Sequence, residues 1–214
     1  MIKRLAMWPL LAALLMPALA FAQAGNAAPV AGVDYEEIAD GKPFEPLDGK
    51  VEVVEIFAYG CHFCAQFQPM VDKWKRGLPA AVRFTYVPAT YNLSDPFARA
   101  FYAAQGTKGL FSRTHEAVFQ AVNTDITLPR NASVDEIAAF YSQYGVAAPA
   151  FAAAMRTPAT DAKLERARDF ALAVDLQGTP SLIVNGRYRV LGKSFDDMLR
   201  IADQLIARER SARH

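Results

Sequence analysis

The sequence predicts an α/β fold in which one sheet is interrupted by an all-helical lobe, and three observations predict it. Val51 to Ala58 is a short apolar run rich in β-branched residues, closed by Gly60 and followed by helical sequence. From Ser94 to Leu176 the apolar residues recur at helical spacing and no strand pattern intervenes. At Ser181 the chain returns to strand, turns at Asn185-Gly186 and closes with a helix. The order β-α-β, helices, β-β-α leaves one sheet and re-enters it, so the outer parts form one domain around an insertion.

Taken in order, residues 1–22 have the form of an export signal. Lys3 and Arg4 precede an apolar run from Leu5 to Leu19, and Ala20-Phe21-Ala22 supplies the small-x-small pattern, with cleavage expected before Gln23. The run is shorter than the roughly 20 residues that span a bilayer and holds Pro9 and Pro17, which argues against a membrane anchor. Residues 23–50 comprise an Ala-, Gly- and Pro-rich leader, an edge strand at Tyr35 to Ala39 and a loop from Gly41 to Gly49. Residues 51–92 hold the central strand, a helix from about His62 to Gly77 and a strand from Val82 to Val87. Pro69 removes an intrahelical hydrogen bond and is expected to bend that helix.

Residues 93–176 are the helical lobe. Phe97, Phe101 and Ala104 mark one helical face, and Leu110, Phe111, His115, Val118 and Val122 mark the next. Ser133 with Glu136 is a capping-box signature ahead of Ile137, Phe140 and Tyr141. Pro149 opens a short helix, and Thr160 to Leu176 forms a longer one. Residues 177–214 complete the sheet with a type I′ hairpin that pairs Leu182–Val184 with Tyr188–Leu191. Ser194 with Asp197 caps the last helix, which runs to about Glu209, and Arg208 and Arg210 suit the negative end of its dipole.

The chain carries 23 Lys and Arg against 22 Asp and Glu. Loss of Lys3 and Arg4 leaves it near neutral, which argues against nucleic acid or an anionic membrane surface as the main ligand. An exported chain enters an oxidising compartment, where disulfides form and persist. Its 2 cysteines, Cys61 and Cys64, form a CxxC pair at the strand-to-helix junction.

A CxxC pair has four readings. Zinc needs about four ligands, and only His62, His115 and His214 could join two thiolates, none repeating the pair spacing. Haem attachment needs histidine directly after the second cysteine, where Ala65 stands. A purely structural disulfide across so short a loop restricts the unfolded chain little. A redox-active dithiol accounts for the spacing, the position and the absence of other cysteines. If the helix begins at or just after Cys61, that sulfur sits over unpaired N–H groups and the positive end of the dipole, which favour a thiolate.

The strand, Cys61-His62-Phe63-Cys64, the helix with Pro69 and the remote GTPSLIVNGRY from Gly178 to Tyr188 together resemble a thioredoxin fold. More narrowly, they resemble the DsbA family of periplasmic thiol oxidases. The likeness spans nearly all the chain after the signal, because the length between the halves matches that family's helical insertion. The resemblance implies an α/β thioredoxin fold with an inserted all-helical lobe, a redox-active Cys61–Cys64 disulfide, and no other cofactor or metal.

Cys61, exposed at the helix start, is the expected nucleophile, with Cys64 the resolving thiol. His62 is either an exposed helix-start residue or a stabiliser of the adjacent thiolate. The family dipeptide is Pro-His and this chain has His-Phe, a departure that bears on the strength of oxidation. Phe63 either covers part of the sulfur or contacts a peptide partner. Glu55 faces the interior if its strand alternates, where a charge is expensive without a partner or a task; the alternative is an edge carboxylate reaching solvent. The resemblance makes it the proton acceptor for the buried cysteine. It also makes Pro180 a cis proline against the disulfide, with the backbone of Thr179 offered to an extended peptide. His115 and His214 read as structural or solvated, and Trp74, Tyr102 and Tyr141 as packing.

The expected function is that of a monomeric periplasmic oxidase that donates its disulfide to reduced exported proteins and is reoxidised by a DsbB-type, quinone-linked membrane partner. A reductase or isomerase on the same fold and a non-catalytic peptide-binding or chaperone module are the competing readings. Isomerases share threonine before the proline, but they resemble V-shaped dimers with a large N-terminal dimerisation domain. Here only residues 23–50 separate the signal from the central strand.

Overall fold

The structure, a computed structural model, describes residues 28–212. The signal sequence, its cleavage point and His214 lie outside the described residues. Five strands form one mixed sheet in the order β1-β5-β4-β2-β3, where β1 is Tyr35–Glu37, β2 Val51–Phe57, β3 Val82–Pro88, β4 Ser181–Val184 and β5 Tyr188–Val190. Strand β2 pairs parallel with β3 and antiparallel with β4, and every residue of β2 is buried. That explains why it reads as a continuous apolar run interrupted only by Glu52 and Glu55.

Helix α1, His62–Lys75, follows β2 directly, contains Pro69 and ends two residues short of the expected Gly77. The lobe supplies five helices: α2 Pro96–Gln105, α3 Leu110–Asn123, α4 Val134–Ser142, α5 Ala148–Met155 and α6 Pro158–Ala173. Asp95 caps α2, and the Ser133–Glu136 capping box opens α4 with both reciprocal bonds made. Helix α6 starts before Thr160 because the Thr157 side chain caps it and Pro158 occupies the first turn, where a missing N–H costs nothing. Helix α7, Phe195–Ser211, is capped by Ser194 and packs on β2, β4, β5 and α1.

The β4–β5 hairpin pairs the expected segments, through a connection one residue longer than the Asn185-Gly186 turn alone. Asn185 and Gly186 take the left-handed conformations of a type I′ turn, with φ of 50° and 69°, and Arg187 N–H closes the turn on Val184 O. The ladder then resumes with Val184 opposite Tyr188, leaving Arg187 as an extra residue on the β5 side. Gly186 also admits a close neighbour: a Cβ there would lie 1.9 Å from the Lys42 carbonyl oxygen.

Glu52 and Glu55, three residues apart on an extended strand, point to opposite faces of the sheet. Both are fully buried. Glu52 is surrounded by donors: Phe44 N–H at 2.7 Å, Glu45 N–H at 3.1 Å and the Arg83 guanidinium at 3.0 Å. It ties the loop before β2 to β3. Glu52→Gln is expected to destabilise the fold by about 2–3 kcal/mol, because it leaves the Arg83 charge without its partner. Denaturant unfolding measures the change, with thiol exchange retained in the folded protein.

Candidate active site

Cys61 is the N-cap of α1, with extended backbone, and its Sγ accepts the Cys64 N–H at 3.2 Å. Sulfur thus occupies the position that Ser, Thr or Asp oxygens usually hold at a helix start. Thr179 approaches from the other half of the sheet, its carbonyl oxygen 3.3 Å from the same sulfur, and the Thr179–Pro180 peptide bond is cis. The structure describes the dithiol form, in which Cys61 is partly exposed and Cys64, one turn later, is fully buried.

The two thiols are electrostatically unlike. Cys61 is lowered to about 6, first by the hydrogen bond with the Cys64 thiol, with further contributions from Thr179 and the N–H groups of Cys64 and Phe63, against the opposing effect of partial burial. Burial pushes the Cys64 thiol far up. At neutral pH the pair is one accessible thiolate beside one buried, protonated thiol, an arrangement suited to thiol–disulfide exchange.

Glu55, on β2, is fully buried. Neither carboxyl oxygen has a hydrogen-bond partner, and desolvation raises its pKa to about 8, with Lys75 opposing and Asp72 and Cys61 reinforcing the shift. It is therefore mainly neutral at neutral pH, a carboxylic acid able to give or take a proton. The edge-carboxylate alternative does not describe it.

The sulfur of Cys61 is hydrogen-bonded to the Thr179 carbonyl and the Cys64 N–H, whereas the His62 ring hydrogen-bonds Gln66 at 3.0 Å. Adjacency in sequence suggested contact with the thiolate, but a helical side chain meets residue i+4 rather than its neighbour. His62 is exposed on the helix surface. Phe63 is 62% exposed beside the nucleophile, leaving the sulfur uncovered and an apolar ring free for a partner. His115 is buried, not solvated; its Nδ1 lies 2.8 Å from the Tyr59 hydroxyl among the rings of Phe57, Tyr86, Phe111 and Phe119.

The residues next to Glu55 escaped the sequence reading. Tyr86 is its register partner on β3, and the Tyr86 hydroxyl accepts from Gln68 Nε2 at 2.9 Å and from Lys75 Nζ at 3.0 Å. The available signal was on α1, where Cys64, Gln68, Asp72 and Lys75 follow helical spacing along one face.

The DSBA-like thioredoxin domain family matches residues 81–205. The thiol:disulfide interchange protein DsbA of Azotobacter vinelandii is 34% identical over 184 residues, 85% of each chain. That of Pseudomonas aeruginosa is 32% identical over 207 residues, covering 95% of this chain and 97% of the relative. Among solved structures, the oxidoreductase DsbA from Xylella fastidiosa superposes with a TM-score of 0.83 at 46% identity, over 86% of this chain and 100% of the other.

Glu55→Gln provides a test of the buried acid through stability. The folded pKa lies above the unfolded one, so stability is fully present below the unfolded value, near 4.5, and is lost as pH rises through about 8. Glu55→Gln is expected to match the parent in acid and to become more stable than it at alkaline pH, by on the order of a few kcal/mol. Parallel unfolding curves at all pH values would place the carboxyl in contact with water.

Proposed function

We propose, for a chain that belongs to the DSBA-like thioredoxin domain family, that its exchange chemistry runs in the oxidising direction on reduced exported proteins. The chain is a thiol:disulfide oxidoreductase. The observation that carries the direction is the partly exposed Cys61 sulfur capping the start of α1, with a lowered pKa, beside the fully buried Cys64, with a raised one.

The cycle begins with the Cys61–Cys64 disulfide. A substrate thiolate attacks Cys61 Sγ, the substrate–Cys61 bond forms, and the Cys61–Cys64 bond breaks with its electron pair on Cys64. Buried thiolate is unfavourable there, and neutral Glu55 gives Cys64 its proton. A second substrate thiolate then attacks the substrate sulfur and displaces Cys61, a good leaving group because its pKa is low. The substrate gains a disulfide, the enzyme gains two electrons, and Cys61 remains a thiolate held by the helix start.

Substrate docking follows from the same surface. Phe63 offers an exposed apolar ring, and Thr179 sets backbone beside the nucleophile, where an extended peptide can pair with it. The curated relatives carry the name thiol:disulfide interchange protein, which supports reduced proteins as substrates. We assign the chain to the periplasm as a monomer, and its reoxidation to a quinone-linked membrane oxidase of the DsbB type.

Equilibration of the purified mature protein with glutathione buffers tests the direction, since an oxidase stays reduced where thioredoxin-like reductants are already oxidised. Cys61→Ser is expected to abolish exchange; retained activity would favour a peptide-binding module. The dithiol form is also expected to unfold later than the disulfide form at neutral pH. The folded Cys61 pKa is depressed, so its contribution is fully present above the unfolded value of roughly 8.5 and fades as pH falls through about 6. The disulfide has no such charge, and its short loop adds little entropy. A disulfide form that outlasts the dithiol in denaturant would reverse the direction.

A further inference from the structure

Strand β3 ends the sheet, and no strand lies on its outer side among the described residues. The register shows which of its backbone groups are free. Val51 N–H donates to Ala81 O and Ala89 N–H donates to Phe57 O, so the odd-numbered residues of this stretch bond β2 and the even-numbered ones turn outward. Pro88 agrees, since a residue without an N–H is tolerated where the ladder is not used. The N–H and C=O groups of Phe84 and Tyr86 therefore face away from the sheet, and no described residue pairs with them. Such an edge is a template for another strand.

Open space borders the edge on both faces of the sheet. On the α1 face a groove of about 480 Å³ is lined by Leu78, Phe84 and Phe111, with Lys75 at its rim. On the opposite face a pocket of about 330 Å³ lies among Phe44, Tyr102, Lys163 and Arg166. Thr85 and Tyr86 border both, so the side chains of a strand laid along β3 would enter the two spaces alternately.

The two spaces differ in chemistry. The α1 side offers apolar surface. On the other side Lys163 has no ion pair among the described residues, only the Tyr102 ring 5.8 Å from its ammonium, and the Tyr102 hydroxyl is buried without a partner. Four cations, Lys75, Arg83, Lys163 and Arg166, line the two spaces against one carboxylate, Glu45, which Arg166 already holds at 2.9 Å.

We propose that the β3 edge is a second substrate-docking site, at which an extended acidic segment of a reduced exported protein adds a strand to the sheet, one carboxylate going to Lys163 and the Tyr102 hydroxyl and the next, apolar side chain to the α1 side. The proposal rests on the reading of reduced exported proteins as substrates. A second copy of this chain is a poor occupant, because edge-to-edge pairing would set these cations against their own counterparts. A reduced substrate suits the edge: its backbone groups are free until it folds, and folding withdraws them. Lys75 is fourteen residues beyond Cys61 on one helix, about 21 Å along its axis, so a docked segment reaches the nucleophile through about seven extended residues. Docking there raises the local concentration of substrate thiol without touching the reacting atoms, which lowers KM and leaves kcat unchanged.

The test uses a reduced dithiol peptide, alone and joined through a Gly-Ser linker of about ten residues to an extended segment of alternating Val and Glu. The joined peptide is expected to have a KM roughly tenfold lower at the same kcat. Lys163 is exposed on α6, so Lys163→Glu spares the fold; it is expected to erase the gain while the bare peptide is oxidised as by the parent. N-methylation of one alternate set of segment N–H groups should abolish the gain and of the other set should keep it, a distinction that charge alone does not produce. Amide exchange at Phe84 and Tyr86 should slow when the segment binds. Equal KM values for the two peptides, a gain that survives Lys163→Glu, or a gain kept with either set methylated would overturn the proposal. Protection of Phe84 and Tyr86 that rises with protein concentration alone would give the edge to a second copy and overturn it too. A bare peptide left unoxidised would sink the substrate reading instead, and the docking is then decided by a cysteine-free segment: slowed exchange at Phe84 and Tyr86 supports it, unchanged exchange overturns it.

Discussion

A sulfur atom caps the first turn of α1, and the chemistry of the site depends on that contact. Helix starts leave N–H groups without acceptors, and here the Cys64 N–H finds the Cys61 sulfur. A thiolate accepts such a bond better than a thiol does, and better than a sulfur already shared in a disulfide. The fold thus favours the reduced state of its own cysteine pair. Thr179, brought to the same sulfur by the antiparallel pairing of β2 with β4, adds a contact from the far end of the sequence. One helix start therefore sets both which cysteine reacts and which redox state the protein favours.

The two glutamates of β2 show how differently a buried carboxylate can be treated. Glu52 has backbone N–H groups and Arg83 around it and acts as a structural tie. Glu55 has no direct partner and is destabilised as an anion. Satisfying Glu55 in the same way would hold the carboxylate ionised at neutral pH. Its missing partners are consistent with a chemical task.

The sequence made visible what depends on local spacing. The N-cap position of Cys61, the Ser133–Glu136 capping box and the left-handed Asn185-Gly186 turn each involve residues within a few positions of one another. What remained hidden depends on tertiary register. Tyr86 lies in the expected strand from Val82 to Val87 and Gln68 in the expected helix from His62 to Gly77. Only the parallel pairing of β2 with β3, under α1, makes them neighbours of Glu55. His62 had two readings, and the exposed helix-start residue is the one the structure has, its ring bonding Gln66. The extra residue at Arg187 sits outside both segments that the sequence paired, and the turn itself closes as its residues dictate.

The helical insertion then acquires a role in the chemistry beyond enlarging the fold. Strand β3 is a sheet edge, and an acid one strand in from an edge lies near solvent unless something covers it. Helices α2 and α3 supply the cover: Phe101, His115 and Phe119 meet Phe57, while Phe111 and His115 meet Tyr86. Desolvation is the largest cause of the raised Glu55 pKa, so the rings that exclude water there also hold the proton on the carboxyl. Lys75 and Tyr86 line the groove where the covering helices give way to solvent. The lobe thus keeps Glu55 dry enough to remain protonated at neutral pH.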